Sequence, residues 1–432
     1  MRIYKAAIPF IALIATWYAS NTQWGKDHWK DIIEVDGKGY YAYLPAIFIY
    51  HDLNFGFYDS IEKKYYNPYT YYEFRTAHNG KLIDKYFAGV AIAEFPFFAC
   101  AHLIAKITGQ PDDGYSKLYP VFINIGAIVY LLTGLIYIRR LLRSYKVKET
   151  IIAFILCTIA FGTNLFLYTV CEPGMSHVYS FAFISMFAWY SKKYFTGRQK
   201  RDLFYCALLA GLIILVRPVN GIILLALPFI AGSREKFIAG MKAMREQKTT
   251  SILTVLTACG IVSIQLIIYK IQCGDFFVYS YGEEKFNWAH PNFINFLFSY
   301  KKGFFVYTPV AFISLGGFIY LWRKNRFEFY SLIIFCTLLI YVLSSWCNWW
   351  YGGSFGTRVL IDYYVFPALL LAFTYQLFES KIKLIFLSSL IVLFMILCQV
   401  QTYQYRYYII HWENMTKEKY WDVFLQLPDK KS

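Results

Sequence analysis

Glu34 and Asp36 are the two side chains of this chain with the clearest potential for chemistry. They flank Val35 shortly after the first apolar segment, residues 3–20. A carboxylate next to a bilayer is costly, so such a residue usually serves a function. A carboxylate within hydrogen-bond reach of a hydroxyl can remove its proton as a general base, and two carboxylates can share a divalent cation. The alternative is an ordinary pair of solvated loop acids.

Three basic residues stand beside apolar segments, where positive charge can hold an anion. Lys85 and Arg358 each precede such a segment, and Arg217 interrupts the apolar stretch 202–232. An arginine between two apolar half-helices needs a partner, and a lipid phosphate is an obvious one. The alternatives are side chains that snorkel to the membrane interface and, for Arg358, an arginine that starts a helix beside an aromatic belt.

A second group of polar and aromatic residues falls in the same kind of loop. Glu172 and His177 lie in the turn 170–177, and Trp350 and Tyr351 precede a glycine-rich run. Glycines let backbone approach a ligand closely, and aromatic rings offer a flat wall to a sugar or an isoprenoid. The alternatives are an ordinary interfacial acid for Glu172 and a helix N-cap neighbour for His177. The pair Glu283-Glu284 could bind an acceptor or a metal, but a solvated pair is favoured.

The composition defines the class of protein to which these residues belong. Of 432 residues, 58% are apolar, 21% aromatic and only 16% charged, and the mean hydropathy is +0.39. Soluble domains carry about 25% charged residues, so the chain is predicted to be an integral membrane protein. The nine cysteines are scattered singly, which indicates neither a disulfide framework nor a zinc site.

The net charge of +16 does not indicate binding to nucleic acid. The basic residues fall in short blocks between apolar runs, which is typical of cytoplasmic loops. The loops between those blocks are then external, and together with the first loop, 21–85, they contain all of the candidate residues named above. The blocks are 139–148, 192–201, 234–248, 323–326 and 381–383.

Membrane-length apolar segments predict an all-α polytopic protein with about twelve transmembrane helices. The stretch 202–232 is broken by Arg217-Pro218 and is predicted to form two short helices. The first segment is interpreted as a retained helix. Three apolar segments before residue 139 give the wrong parity for a cytoplasmic start. Besides 202–232, the apolar segments are 3–20, 86–106, 117–138, 149–169, 177–192, 252–270, 303–322, 329–346, 359–377 and 383–400.

Two parts of the chain lie outside these segments. Residues 21–85 form a large first external loop, in which Tyr40–His51 is apolar enough to lie on the membrane as an interfacial helix. Residues 401–432, rich in tyrosine and tryptophan, are predicted to be a short interfacial tail. Residues 1–400 would form one transmembrane catalytic domain.

The motif Glu34-x-Asp36, with the glycines and aromatic residues after it, resembles the first-loop motif of the polytopic GT-C glycosyltransferases. The run 349–362, from Trp349 through Arg358 to Asp362, resembles a tryptophan, glycine and arginine signature in many bacterial members. Protein O-mannosyltransferases and aminoarabinose transferases belong to this superfamily. The resemblance implies a GT-C-like fold and inverting transfer of a sugar from a polyprenyl-phosphate carrier to an acceptor hydroxyl.

The resemblance also implies roles for the candidate residues. Asp36 would be the catalytic base, assisted by Glu34. Arg217, Arg358 and Lys85 would bind the donor phosphate. The residues implied for sugar or acceptor binding are Glu172, His177, Tyr40, Trp350 and Tyr351. The implied partners are a polyprenyl-phosphate-linked sugar, the lipid bilayer and an acceptor glycan, lipid or protein, at the external or periplasmic face of a bacterial inner membrane.

No cofactor is required by this interpretation, because basic side chains can stabilise the phosphate. A divalent cation, Mg or Mn, held by Glu34 and Asp36, is the open alternative. The rival function is a transporter or flippase of lipid-linked sugars. Transporters usually carry internal repeats and broken helices in both halves. This sequence has one broken segment, no evident repeat and polar residues on one face, which favours an enzyme.

Overall fold

The computed structural model describes residues 6–68 and 71–427, which form a helical protein with one small β-hairpin. The first third of the chain contains five helices and the hairpin. In chain order these are α1 (Ala7–Thr22), α2 (Asp36–Phe48), α3 (Tyr58–Tyr65), β1 (Arg75–His78), β2 (Lys81–Asp84), α4 (Gly89–Thr108) and α5 (Leu118–Ser144).

The middle of the chain alternates long helices with short ones. In chain order they are α6 (Glu149–Phe161), α7 (Leu165–Val170), α8 (His177–Gly197), α9 (Lys200–Val216), α10 (Leu227–Ala231), α11 (Arg234–Glu246) and α12 (Lys248–Cys273). The remaining helices are α13 (Phe293–Phe298), α14 (Phe304–Tyr307), α15 (Pro309–Ser314), α16 (Gly316–Lys324), α17 (Arg326–Ser344), α18 (Val365–Gln376), α19 (Lys381–Arg406) and α20 (Lys417–Asp422).

Of the helices in the described part of the chain, five are long and apolar enough to cross a bilayer by length and composition alone. The predicted count of about twelve spans is therefore not confirmed, although the multi-pass character of the chain is. Three further apolar stretches are shorter. The five are α4, α5, α12, α17 and α19, and the shorter stretches are Glu149–Phe161, Pro218–Ala231 and Val365–Gln376.

Several predicted spans are interrupted, and the interruptions have local causes. Pro218 has no backbone N–H, so α9 ends at Val216 and Arg217 adopts an extended conformation. A 3₁₀ segment, Pro218–Ala226, then connects to α10. The prediction of a helix break at this arginine is confirmed. A second 3₁₀ segment, Arg358–Tyr363, precedes α18.

The first loop differs from its prediction in two ways. It contains the antiparallel hairpin β1–β2, which the all-α expectation did not include. Helix α2 is also not a surface segment, since every residue from Gly37 to Ala46 is buried within the protein. Its tyrosines find polar partners there, because Tyr43 donates to the carbonyl oxygen of Tyr86 at 2.7 Å. Such a hydrogen bond offsets the cost of removing a tyrosine hydroxyl from water when the helix is buried.

The C-terminal tail begins later than expected, since α19 continues to Arg406. Tyr407, Tyr408 and Trp421 are exposed, as expected of an interfacial segment. The tail is also held to the protein, because the N–H of Ser354 donates to the carbonyl oxygen of Trp412 at 3.0 Å. Residues 428–432 lie outside the described part of the chain.

Close backbone packing joins the start of α4 to the end of α9. A Cβ atom at Gly89 would lie 2.3 Å from the backbone nitrogen of Val216 and 2.4 Å from the carbonyl carbon of Leu215. Backbone atoms cannot move aside as a flexible side chain can. This contact therefore helps to fix the position of Arg217, the next residue along the chain.

We expect Gly89→Ala to lower the stability of the protein by about 1–3 kcal/mol, because the new methyl group overpacks a backbone contact. Thermal unfolding in detergent measures the effect. Gly260→Ala is the matched control, since a Cβ atom there meets nothing within 4 Å in the interior of α12. The control should be neutral or stabilising by up to about 1 kcal/mol. Equal losses in the two variants would contradict the packing argument.

Candidate active site

Eight separate segments of the chain line one cavity of about 430 Å³ that contains charged side chains. They are the start of α2, Tyr72 before β1, the residues after β2, the start of α8, the end of α9, and three loops near residues 280, 350 and 358. Seven of the ten predicted site residues line it: Asp36, Tyr40, Lys85, His177, Arg217, Tyr351 and Arg358. A larger hollow of about 680 Å³ lies between α6 and α19 and has no charged side chain in its wall.

Asp36 and Arg358 form an ion pair at the centre of this cavity. The Nη2 atom of Arg358 lies 2.7 Å from Oδ2 of Asp36, and the hydroxyl of Tyr86 donates to Oδ1 at 2.6 Å. Burial alone would raise the pKa of Asp36. The charge of Arg358 and the hydroxyls of Tyr86 and Tyr72 outweigh it and hold that pKa below its usual value. Asp36 is therefore ionised at neutral pH.

A second ion pair joins Arg217 to Asp362. The Nη1 atom of Arg217 lies 3.3 Å from Oδ2 of Asp362, and Asn220 donates to the same oxygen at 2.7 Å. The other oxygen, Oδ1, lies 2.9 Å from Nδ1 of His177. Asp362 is fully buried. Asp362 was not among the predicted site residues, although it lies four residues after Arg358 in the motif. A buried carboxylate needs partners.

A third ion pair joins Lys85 to Glu284, whose atoms Nζ and Oε1 are 2.7 Å apart. The prediction that Glu283-Glu284 is a solvated pair is wrong for Glu284, which lines the cavity. Of the two, Glu283 is exposed and Glu284 is half-buried. The fold brings Glu284 to the first loop because Ser280 donates to the carbonyl oxygen of Lys85 at 2.7 Å. All three predicted phosphate-binding cations therefore have a carboxylate partner.

Aromatic rings form much of the remaining wall. Tyr40 packs on Tyr86 with ring centroids 4.5 Å apart, and Tyr281 packs on Trp346 at 5.7 Å. Of these four, only Tyr40 was predicted. Tyr86 follows the predicted Lys85 directly, but Tyr281 and Trp346 carry no sequence signal that separates them from the many other aromatic residues. Their rings offer apolar faces, and their hydroxyl and indole groups offer hydrogen bonds.

Trp350 does not line the cavity, unlike its neighbour Tyr351. Its Nε1 atom donates to Glu413 at 3.1 Å, and the ammonium group of Lys301 lies 3.7 Å from its ring centroid. Tyr351 lines the cavity and adopts a left-handed backbone conformation, with φ of 56°. The chain reverses direction over this pair, so the two rings face different surroundings.

Glu34 and Glu172 also lie outside the cavity wall. Burial raises the pKa of Glu34 to about 7, and nearby Asp31 adds to the effect. Burial also raises the pKa of Glu172 to about 7, although the charge of Arg358 opposes it. Asp36 contributes to the rise at Glu172, which places that carboxyl close to the central ion pair. Within the described residues, no group of three or more His, Cys, Asp or Glu side chains could hold a metal ion.

Backbone strain occurs at two residues of the cavity wall. Val35, between the two predicted carboxylates, has φ of 50° and ψ of −126°, and Tyr351 has the positive φ given above. A β-branched residue rarely adopts positive φ. Such a conformation costs about 1–3 kcal/mol and persists only where surrounding contacts enforce it. Here the contacts include Gly37, which packs against the backbone of Gly174.

Comparisons with known proteins were made by family model, by sequence and by structure. No protein-family model matches the chain, and no curated protein sequence matches it. A match among solved structures is the archaeal oligosaccharyltransferase AglB from Archaeoglobus fulgidus, in complex with an inhibitory peptide and a dolichol-phosphate. The TM-score is 0.47 and the identity 11%, over 99% of this chain. This chain spans 60% of the length of that chain.

Glu172 provides a test of the electrostatics at this site. Burial raises its pKa in the folded protein from the usual 4.5 to about 7. Between these values the folded protein holds a proton that the unfolded chain has released, so stability falls as the pH rises through this window. Glu172→Gln stays neutral and avoids that loss. We expect it to match the wild type near pH 5 and to be more stable by about 1–3 kcal/mol near pH 8.5.

Thermal unfolding across the pH range measures this difference. Glu283→Gln is the matched control, because Glu283 is exposed, and its difference from the wild type should not grow with pH. A Glu172→Gln advantage that is constant from acid to alkaline pH would contradict the buried, protonated carboxyl.

Proposed function

We propose that this protein is an inverting glycosyltransferase that moves a sugar from a polyprenyl-phosphate carrier to an acceptor hydroxyl. The observation that carries the proposal is the contact of Asp36 with Arg358 in a cavity that Lys85 and Arg217 also line. A carboxylate that can take a proton thus lies beside three cations that can receive a phosphate. Single displacement at a sugar carbon needs both groups within a few ångströms of the reacting atoms.

In the proposed reaction Asp36 accepts the proton of the acceptor hydroxyl, whose oxygen forms a bond to the anomeric carbon. The bond from that carbon to the phosphate oxygen breaks, and its electron pair stays with the phosphate. Arg358, Arg217 and Lys85 stabilise the charge that develops there. The low pKa of Asp36 keeps it ionised before reaction. As Arg358 turns to the leaving phosphate, it holds Asp36 less tightly, and the carboxylate becomes a stronger base.

Other predicted site residues have supporting roles in this proposal. His177, Tyr40 and Tyr351 lie in the cavity wall and would contact the sugar. Glu34 and Glu172 would tune the charge around the central ion pair, with the acceptor approaching from their side. No cofactor is required, and a divalent cation remains the alternative for the two first-loop carboxylates. We place the reaction at the external face of a bacterial inner membrane, with a glycan, lipid or protein as acceptor.

The role of Asp36 as the base can be tested by substitution. We expect Asp36→Asn to lower sugar transfer by about 10²-fold or more, because the amide keeps the shape but cannot accept a proton. Binding of the lipid donor should remain. The assay supplies polyprenyl-phosphate hexoses to the purified protein in liposomes with a panel of hydroxyl acceptors. Asp112→Asn is the matched control, since Asp112 is exposed and outside the cavity. Near wild-type turnover by the Asp36 variant would remove Asp36 from the role of base.

The identity of the sugar donor can be tested with the protein in liposomes. The protein in liposomes should consume polyprenyl-phosphate sugar, release polyprenyl phosphate and ignore nucleotide sugars. Arg358→Ala should weaken donor use by about 2–4 kcal/mol, because a buried, charge-assisted contact is lost. Arg323→Ala, at an exposed position, serves as the control. Movement of intact lipid-linked sugar across the bilayer, with no cleavage for any acceptor, would instead support a transporter.

A further inference from the structure

Asp362 does not itself line the cavity, but it contacts two residues of the cavity wall, Arg217 and His177. One of its oxygens receives hydrogen bonds from Arg217 and Asn220, and the other lies 2.9 Å from Nδ1 of His177. Asn220 is itself held, since its amide oxygen accepts from Tyr363 at 2.9 Å. The ion pair with Arg217 requires an ionised carboxylate at Asp362, and such a carboxylate can only accept hydrogen bonds.

This arrangement determines which nitrogen of His177 carries the proton. Because Asp362 accepts, Nδ1 of His177 must donate to it. A second proton on the ring would place a positive charge beside Arg217, which shares the same carboxylate, and like charges disfavour it. The ring is therefore neutral, and Nε2 has a free lone pair. Within the described part of the chain, Nε2 makes no hydrogen bond, while His177 lines the cavity.

We propose that Asp362 is a positioning residue that holds His177 in the Nδ1–H form, so that Nε2 accepts a hydrogen bond from a hydroxyl of the donor sugar. This rests on the proposed function, and it adds a substrate class: a sugar that presents a free hydroxyl at one ring position facing α8. Asp362 also holds Arg217, so a single buried carboxylate orients a contact to the sugar and a contact to the phosphate.

The tautomer can be measured without any substrate. Solid-state NMR of ¹⁵N-histidine-labelled protein in liposomes distinguishes the two neutral forms and the imidazolium, and the His177→Phe variant assigns the signal. We expect the Nδ1–H form in the wild type. In Asp362→Asn the amide can donate to Nδ1, and we expect the ring to change to the Nε2–H form. An imidazolium or an Nε2–H ring in the wild type would overturn the proposal.

A double-mutant cycle, in which sugar analogues are combined with protein variants, identifies the sugar hydroxyl that His177 contacts. Decaprenyl-phosphate glucose, mannose and galactose, their single-deoxy analogues, and decaprenyl phosphate without sugar are titrated against the purified protein. In the wild type we expect one deoxy position to weaken binding by about 3- to 10-fold, the loss of one hydrogen bond. In His177→Phe and in Asp362→Asn that position should make no difference.

The sugar-free lipid separates positioning from a merely structural role. His177→Phe should bind decaprenyl phosphate as the wild type does. Asp362→Asn should bind it equally well or more tightly, because Arg217 loses its competing carboxylate. A general loss of folding would instead weaken every ligand. His102→Phe is the control, since His102 contacts Tyr119 through Nδ1 at 2.7 Å and lies outside the cavity wall.

Each result decides one of the two proposals. If decaprenyl phosphate binds and no deoxy position depends on His177, the sugar contact is wrong and the proposed function stands. If neither decaprenyl phosphate nor any of its sugars binds, the proposed donor is wrong, and the sugar contact falls with it. The wild-type tautomer still determines in that case whether Asp362 positions the ring.

Discussion

The ion pair between Asp36 and Arg358 is the interaction on which the rest of the site depends. It joins residues 322 positions apart, and both side chains are almost buried, at 14% and 11% exposure. Desolvation of two charges is costly and is offset only where geometry is good and the remaining polar atoms are satisfied. Tyr86 supplies that satisfaction for Asp36. Removing either partner would leave an unpaired buried charge, which is strongly destabilising. The pair therefore holds the first loop against the 3₁₀ segment that precedes α18.

The three ion pairs also give the cavity a near balance of charge. Lys85, Arg217 and Arg358 each contact a carboxylate, so a phosphate must compete with Glu284, Asp362 and Asp36 for its cations. The three carboxylates differ in exposure, and Glu284 is the most exposed, at 32%. Lys85 is therefore the cation that an entering anion releases most easily, whereas Arg217 and Arg358 are held in place by buried partners.

Three of the charged residues of the cavity, Asp36, Arg217 and Arg358, lie where regular helix begins or is interrupted. Arg217 is extended before Pro218, Arg358 starts a 3₁₀ segment, and Asp36 follows the strained Val35. In a membrane protein, irregular backbone is tolerated only where it is buried in protein or lines a polar cavity. The interruptions that make the helices poor membrane spans are thus the features that bring polar groups to the site.

The sequence by itself determined the class of protein, the helix break at Arg217 and seven of the wall residues, because composition and the cost of charge near a bilayer are local properties. It did not determine the partners. Asp362 and Glu284 are ordinary acids in the chain, and only packing brings them to Arg217 and Lys85. The burial of α2 and the separation of Trp350 from Tyr351 likewise depend on contacts between distant segments. Tertiary structure decided these points, since apolar and aromatic residues look alike in sequence whether they face lipid, protein or a cavity.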